Sequence, residues 1–169
     1  MISRRCFSFG VLASALLAGA ASSASAGQLV PFSGYRPGSI VIVTHARELY
    51  YVLGDGRAIR YPVGVGKAGM AWHGSARIAQ KDIRPAWRPP GDIWRHSPWI
   101  PEVIPGGAPD NPMGAAAMGL DRGNYAIHGT NNPNSVGKFV SHGCIRMYNA
   151  DIMDLYARAP IGTEVHVLE

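Results

Sequence analysis

The sequence predicts a mainly β domain of sandwich-like build, with one clear helix and one long Pro/Trp-rich loop. Three features of the chain point there. Short β-branched or alternating runs recur, glycine and proline punctuate them, and a single stretch keeps helical spacing. A length of 169 residues allows one ordinary core rather than two. With 47% hydrophobic and 16% charged residues, the chain is neither disordered nor strongly charged. Two cysteines are too few for a disulfide-dense scaffold or a four-cysteine zinc site. A net charge of +5 suits an acidic partner but falls short of a nucleic-acid-binding stripe, so no nucleic acid is expected.

Residues 1–26 read as a cleaved export signal. Arg4 and Arg5 provide the positive start, an apolar stretch runs from Phe7 to Ala21, and Ala24-Ser25-Ala26 gives a small-x-small cleavage pattern before Gly27. The apolar stretch is shorter than the ~20 residues a membrane span needs, so no span is expected after cleavage. Ser3-Arg4-Arg5-Cys6-Phe7 opens like a twin-arginine motif, but Ser8 and Phe9 stand where Leu and Lys are usual. Both the twin-arginine and the general route stay open, with the periplasm or cell wall as destination. Cleavage removes Cys6 and leaves Cys144 as the sole thiol, in a compartment where thiols tend to be oxidised.

Residues 27–38 form a short lead-in, and 39–169 the domain. Ser39–Thr44 is a β-branched run typical of a buried strand. Arg47–Leu53 and Ala58–Val65 flank Gly54-Asp55-Gly56, a hairpin turn suited to positive φ. Further strands are expected at Ser75–Gln80, Ala115–Leu120, Asn124–His128 and Thr163–Leu168. The helix follows Asn149, a candidate cap. Ile152, Met153, Leu155 and Tyr156 fall at helical spacing, and Pro160 ends it. Between Pro85 and Pro112 lie eight of the 13 prolines, in a stretch expected to lack regular structure and to form a lid or binding loop. Trp72, Trp87, Trp94 and Trp99 fall in or just before it. At least two of these rings are expected to pack the loop onto the sheet, and the others to line a groove.

The chemistry concentrates in Tyr125–Thr130 and Ser141–Met147. A free thiol is only a few per cent ionised at neutral pH, so a nucleophilic cysteine gains from a nearby base or cation. His128 ends an expected strand sixteen residues before Cys144, a separation that lets two adjacent strands bring both side chains to one sheet end. Gly129 and Gly143 allow close backbone approach, and the amides of Gly143 and Cys144 are natural oxyanion donors. Asn131, Asn132, Pro133 and Asn134 build the turn between.

His128-Gly129-Thr130 followed by Ser141-His142-Gly143-Cys144-Ile145-Arg146 resembles the signature of the L,D-transpeptidase (YkuD-type) catalytic domain. The resemblance extends through Tyr61–Lys67, Pro85-x-Trp87-x-Pro89-Pro90 and Asp110–Gly114, covering Ser39 to Leu168. Many members carry Thr-Pro-x-Gly after the Gly-Lys, where this chain has Ala71-Trp72-His73-Gly74-Ser75. No wall-binding repeat accompanies the domain, so anchoring would rest on the domain itself. The resemblance implies a cell-wall enzyme acting on peptidoglycan stem peptides as donor and acceptor, with no cofactor and no metal. Cys144 would be the nucleophile and His128 its base. The Gly129 carbonyl would orient the ring, and the Gly143 and Cys144 amides would hold the oxyanion. Ser141, His142 and Arg146 would support, His142 facing away from Cys144 if the stretch is extended. The thioester would pass to an amine of another stem or of a wall-attached protein, or to water, the last making a carboxypeptidase or endopeptidase.

Rival readings use the same residues. His128, His142 and Cys144 include zinc-ligand types, but their spacing is unlike short Cys/His pairs and no His-Glu-x-x-His is present. Papain-like peptidases place the histidine after the cysteine, where only His166 is found. A non-catalytic wall-binding module would not need every chemical position filled. His45, His73, His96 and His166 have no motif context, with His73 and His96 the outside candidates for groove lining.

Overall fold

The computed structural model describes residues 27–169; the expected export signal lies outside the described residues. Eleven strands and two helices follow one another: β1 (Gln28–Pro31), β2 (Ile40–Val43), β3 (Glu48–Gly54), β4 (Arg57–Pro62), β5 (Val65–Gly66), β6 (Gly74–Ile83), α1 (Gly91–His96), β7 (Ala116–Leu120), β8 (Ala126–His128), β9 (Phe139–Ser141), β10 (Ile145–Arg146), α2 (Asn149–Arg158) and β11 (Glu164–Leu168). Nine strands form one sheet in the order β1-β4-β3-β2-β11-β6-β7-β8-β10, while β5 and β9 pair separately. The domain is therefore mainly β. Each strand expected from the sequence is present, with altered ends.

Local chemistry explains the central elements. Every residue from Ile40 to Ile42 is buried, as expected of a β-branched run with neighbours on both edges. The β3–β4 hairpin turns at Asp55-Gly56, which both take positive φ (51° and 69°), the combination a tight two-residue hairpin favours. Strand β6 changes partner along its length: Gly74–Arg77 pairs with β11, and Ile78–Ile83 with β7. It thus joins the strands around β2 to β7, β8 and β10, which hold His128 and Arg146. Helix α2 turns Ile152 and Leu155 into the core beside Met118, Ile127 and Ile145. The Tyr61 hydroxyl donates to Asp154 on that helix at 2.5 Å, tying β4 to it.

The 27–38 lead-in holds strand β1, paired antiparallel to β4 from Gln28 to Pro31. Two expectations change. The Pro/Trp-rich segment does hold regular structure: α1, and a backbone bridge between Trp87 and Ile104. Asn111 knots this segment, its side-chain amide donating to the carbonyls of Pro85 and Pro105 at 2.9 Å each. Asn149 does not cap α2. Tyr148 holds the cap position without a side-chain bond, and Asn149 begins the helix. Among the described residues, no helix is long and apolar enough to cross a membrane.

Candidate active site

Main-chain pairing places the histidine. His128 closes β8, opposite Ala117 on β7 and level with Arg146 on the parallel strand β10. It is 4% exposed. Its Nδ1 lies 2.6 Å from the Gly129 carbonyl oxygen. A carbonyl only accepts, so the proton sits on Nδ1 and Nε2 is the basic nitrogen. Burial pushes the imidazole down to about 4; the Gly129 bond opposes this shift and the Arg146 charge adds to it.

The backbone beyond His128 is clamped by Asn149. Its Oδ1 accepts from Ala115 N–H at 3.0 Å and Thr130 N–H at 3.1 Å, so one side-chain oxygen holds two segments together. Side chains at the neighbouring positions would displace it: a Cβ on either Gly114 or Gly129 would lie 2.3 Å from that oxygen.

Cys144 stands in the break between β9 and β10, and side chains secure its loop. Ser141, 1% exposed, donates its hydroxyl to the Cys144 carbonyl at 2.6 Å and accepts from Gly143 N–H at 3.1 Å. Trp72 donates its indole N–H to the Gly143 carbonyl at 3.0 Å. Gly143 has φ +116°, and a Cβ there would lie 2.4 Å from the Tyr125 ring. The half-buried thiol approaches the Asn124 carbonyl at 3.8 Å and receives the Ala126 N–H. Burial pushes the thiol up, while the Ala126 bond and the Arg146 charge pull it back.

Arg146 is the cation common to both groups. Its half-buried guanidinium acts on His128 and Cys144 alike, favouring thiolate and disfavouring imidazolium. Its Nε is buried with no hydrogen-bond partner among the described residues. Burial thus favours the uncharged form of both side chains, imidazole and thiol alike. His142 is exposed, and no described hydrogen bond engages its ring. Among the described residues, no three His, Cys, Asp or Glu side chains gather as a metal site.

The four tryptophans separate. Trp72 is half-buried against the core and stacks on Tyr125, with centroids 5.1 Å apart and an 8° angle. Trp87 takes part in the bridge to Ile104, while Trp94 and Trp99 are 40% and 78% exposed. The Pro/Trp-rich segment returns near the site at residues 107–111, where a cavity of about 400 Å³ is lined also by Gly114, Ala115 and Asn149. The roomier cavity of about 600 Å³, lined by Glu48, Arg60, Tyr148 and Asp151, includes neither Cys144 nor His128. Sequence reasoning left Trp72 and Asn149 out of the site, and it included Tyr125 only as the start of a motif segment, with no role. Asn149 was visible only as a cap candidate, and the one sign at Trp72 was the departure from Thr-Pro-x-Gly.

Comparison with known proteins agrees with this geometry. The family model for the L,D-transpeptidase catalytic domain (YkuD) matches residues 37–167. The probable L,D-transpeptidase YbiS of Escherichia coli is 34% identical over 152 residues, covering 84% of this chain and 48% of its own length. The chain thus spans about half the length of the curated relatives first matched. Among solved structures, a Brucella melitensis protein is 43% identical with a TM-score of 0.56, covering 83% of this chain and 92% of its own. That protein bears the name of a probable carnitine operon oxidoreductase. An L,D-transpeptidase from Mycobacterium smegmatis shares the fold at 19% identity and a TM-score of 0.59, covering 77% of this chain and 58% of its own.

Proposed function

The chain belongs to the YkuD family of L,D-transpeptidase catalytic domains, and from that premise we propose an exported peptidoglycan acyltransferase working through a thioester on Cys144. Its donor is a tetrapeptide stem. Cys144 Sγ attacks the carbonyl between the third residue and the terminal D-Ala while His128 Nε2 takes the thiol proton. The tetrahedral oxyanion collapses, the C–N bond breaks, and His128 returns the proton to the departing D-Ala amine. An amine of a second stem, or of a wall-attached protein, then attacks the thioester and releases Cys144; water in its place yields a carboxypeptidase or endopeptidase. Export follows from the signal read at 1–26, with the periplasm or cell wall as the site of action.

One observation carries this reading. A half-buried thiol and a buried imidazole, its Nδ1 committed to the Gly129 carbonyl, lie under the influence of one guanidinium. Of the two amides offered to the oxyanion, that of Gly143 already donates to Ser141 Oγ, which supports Cys144 N–H as the principal donor. The positioning of Ser141, Gly143 and Arg146 fits supporting roles, and exposed His142 fits a peripheral one.

The test is a mass measurement. Incubating the purified protein with a tetrapeptide stem or a carbapenem is expected to give a covalent adduct, absent from Cys144→Ala. An unmodified wild type, or an adduct that persists in Cys144→Ala, would overturn the proposal.

A further inference from the structure

We propose that Trp72 is a positioning residue for acyl transfer: its indole N–H fixes the Gly143–Cys144 peptide so that the Cys144 amide faces the developing oxyanion. This deepens, and rests on, the thioester reading above. A trans peptide carries its C=O and N–H on opposite sides, and no cis bond occurs among the described residues. The indole N–H holds the Gly143 carbonyl at 3.0 Å. It thereby aims the N–H of the same peptide unit, which belongs to Cys144, the other way. Donation to the carbonyl also polarises the unit and strengthens that N–H as a donor. Among the described residues nothing accepts from Cys144 N–H, whereas Gly143 N–H is taken by Ser141 Oγ. The peptide that Trp72 grips is the one with an amide to spare.

The indole is itself held. Tyr125 stacks on it, and the Arg122 guanidinium lies over its ring at 5.0 Å. Tyr125 directly precedes β8, the strand that ends in His128. Its ring fills the space where a side chain at Gly143 would stand. One aromatic stack therefore ties the cysteine loop to the histidine strand, through an indole that comes 71 residues before Gly143. Trp72 lies in the stretch where this chain replaces Thr-Pro-x-Gly, so the departure brings its own donor to the site.

Two reactions of one thiol separate this role from a merely structural one. Acylation by a carbapenem passes through an oxyanion; alkylation by iodoacetamide is a direct displacement and does not. Trp72→Phe keeps a stacking ring and loses the N–H. It is expected to slow acylation by about 10-fold, a fraction of what losing an oxyanion donor outright costs. Iodoacetamide alkylation should stay within about twofold of wild type, since thiol reactivity follows pKa and access rather than oxyanion binding. Unchanged acylation, or equal slowing of both reactions, would overturn the role. If Trp72→Phe does not fold, benzothienylalanine at position 72, with sulfur in place of N–H, preserves the shape and gives the same readout. A wild type that alkylates but never acylates would instead remove the transfer reading itself.

Discussion

The two halves of the candidate site are built by different means. On the histidine side, His128 belongs to a strand paired on both edges, and its ring is set by the next residue's own carbonyl. On the cysteine side, Cys144 lies between strands, and its loop is held by the hydroxyl of Ser141 and the indole of Trp72. A side chain on a doubly paired strand is placed by the sheet's cooperative hydrogen bonding and moves only with it. A loop held by two side chains can be loosened one bond at a time. The histidine side is thus expected to be robust in geometry and the cysteine side adjustable.

On the proposed mechanism the largest effect should come from His128. His128→Ala is expected to slow carbapenem acylation by about 10²–10⁴-fold, the range for losing a general base. Replacing exposed His142 with Gln should cost far less, and equal losses would break the division of labour. Next come the two oxygens that each serve two backbone groups. Asn149→Ala strands the buried Thr130 N–H and the Ala115 N–H, so urea unfolding should show a loss of about 1–3 kcal/mol. Its acylation rate should fall less steeply, because β8 pairing still holds His128. Ser141→Ala should show the reverse balance, with the rate suffering more than stability as the Gly143–Cys144 loop loosens. The same ratio of rate loss to stability loss in both variants would erase the contrast.

The smallest effect is a slope with pH. His128 is held neutral at about 4 in the folded chain, against about 6.5 when unfolded. Because the folded value is depressed, its contribution is full above about 6.5 and is lost as pH falls toward 4. Cys144, pushed upward, remains a thiol in both states through that window and adds no slope. Urea midpoints measured from pH 7 to 4 should therefore flatten in His128→Gln and stay sloped in Cys144→Ala. A slope unchanged by His128→Gln would assign the acid sensitivity elsewhere.

The same contrast governs what could be read from the sequence. The strands were legible where the pattern is local: the β-branched run at Ile40–Val43, the Asp55-Gly56 turn, the alternation at β11. Strands β5, β9 and β10 were not, being two or three residues long and formed only when distant segments meet. The motif residues His128 and Cys144 stood out because the chemistry needs those types near glycine. Trp72 did not, because an indole facing a carbonyl 71 residues away leaves no periodicity. Asn149 misled for a related reason. The residue type suits a helix cap, and only the tertiary structure shows its oxygen committed to Ala115 and Thr130.

Strand β11, formed by residues 164–168, does not lie at an edge. It sits between β2 and β6, parallel to the first and antiparallel to the second. A ribosome therefore delivers the thiol at residue 144 before the strand that completes its sheet. Ile40 must wait for Val165, a loop closure spanning nearly the whole domain, and such long-range pairing makes folding slow. Until then the partners of β11 present open edges. The order of synthesis thus puts the Cys144 loop on the chain before the strand that joins β2 to β6.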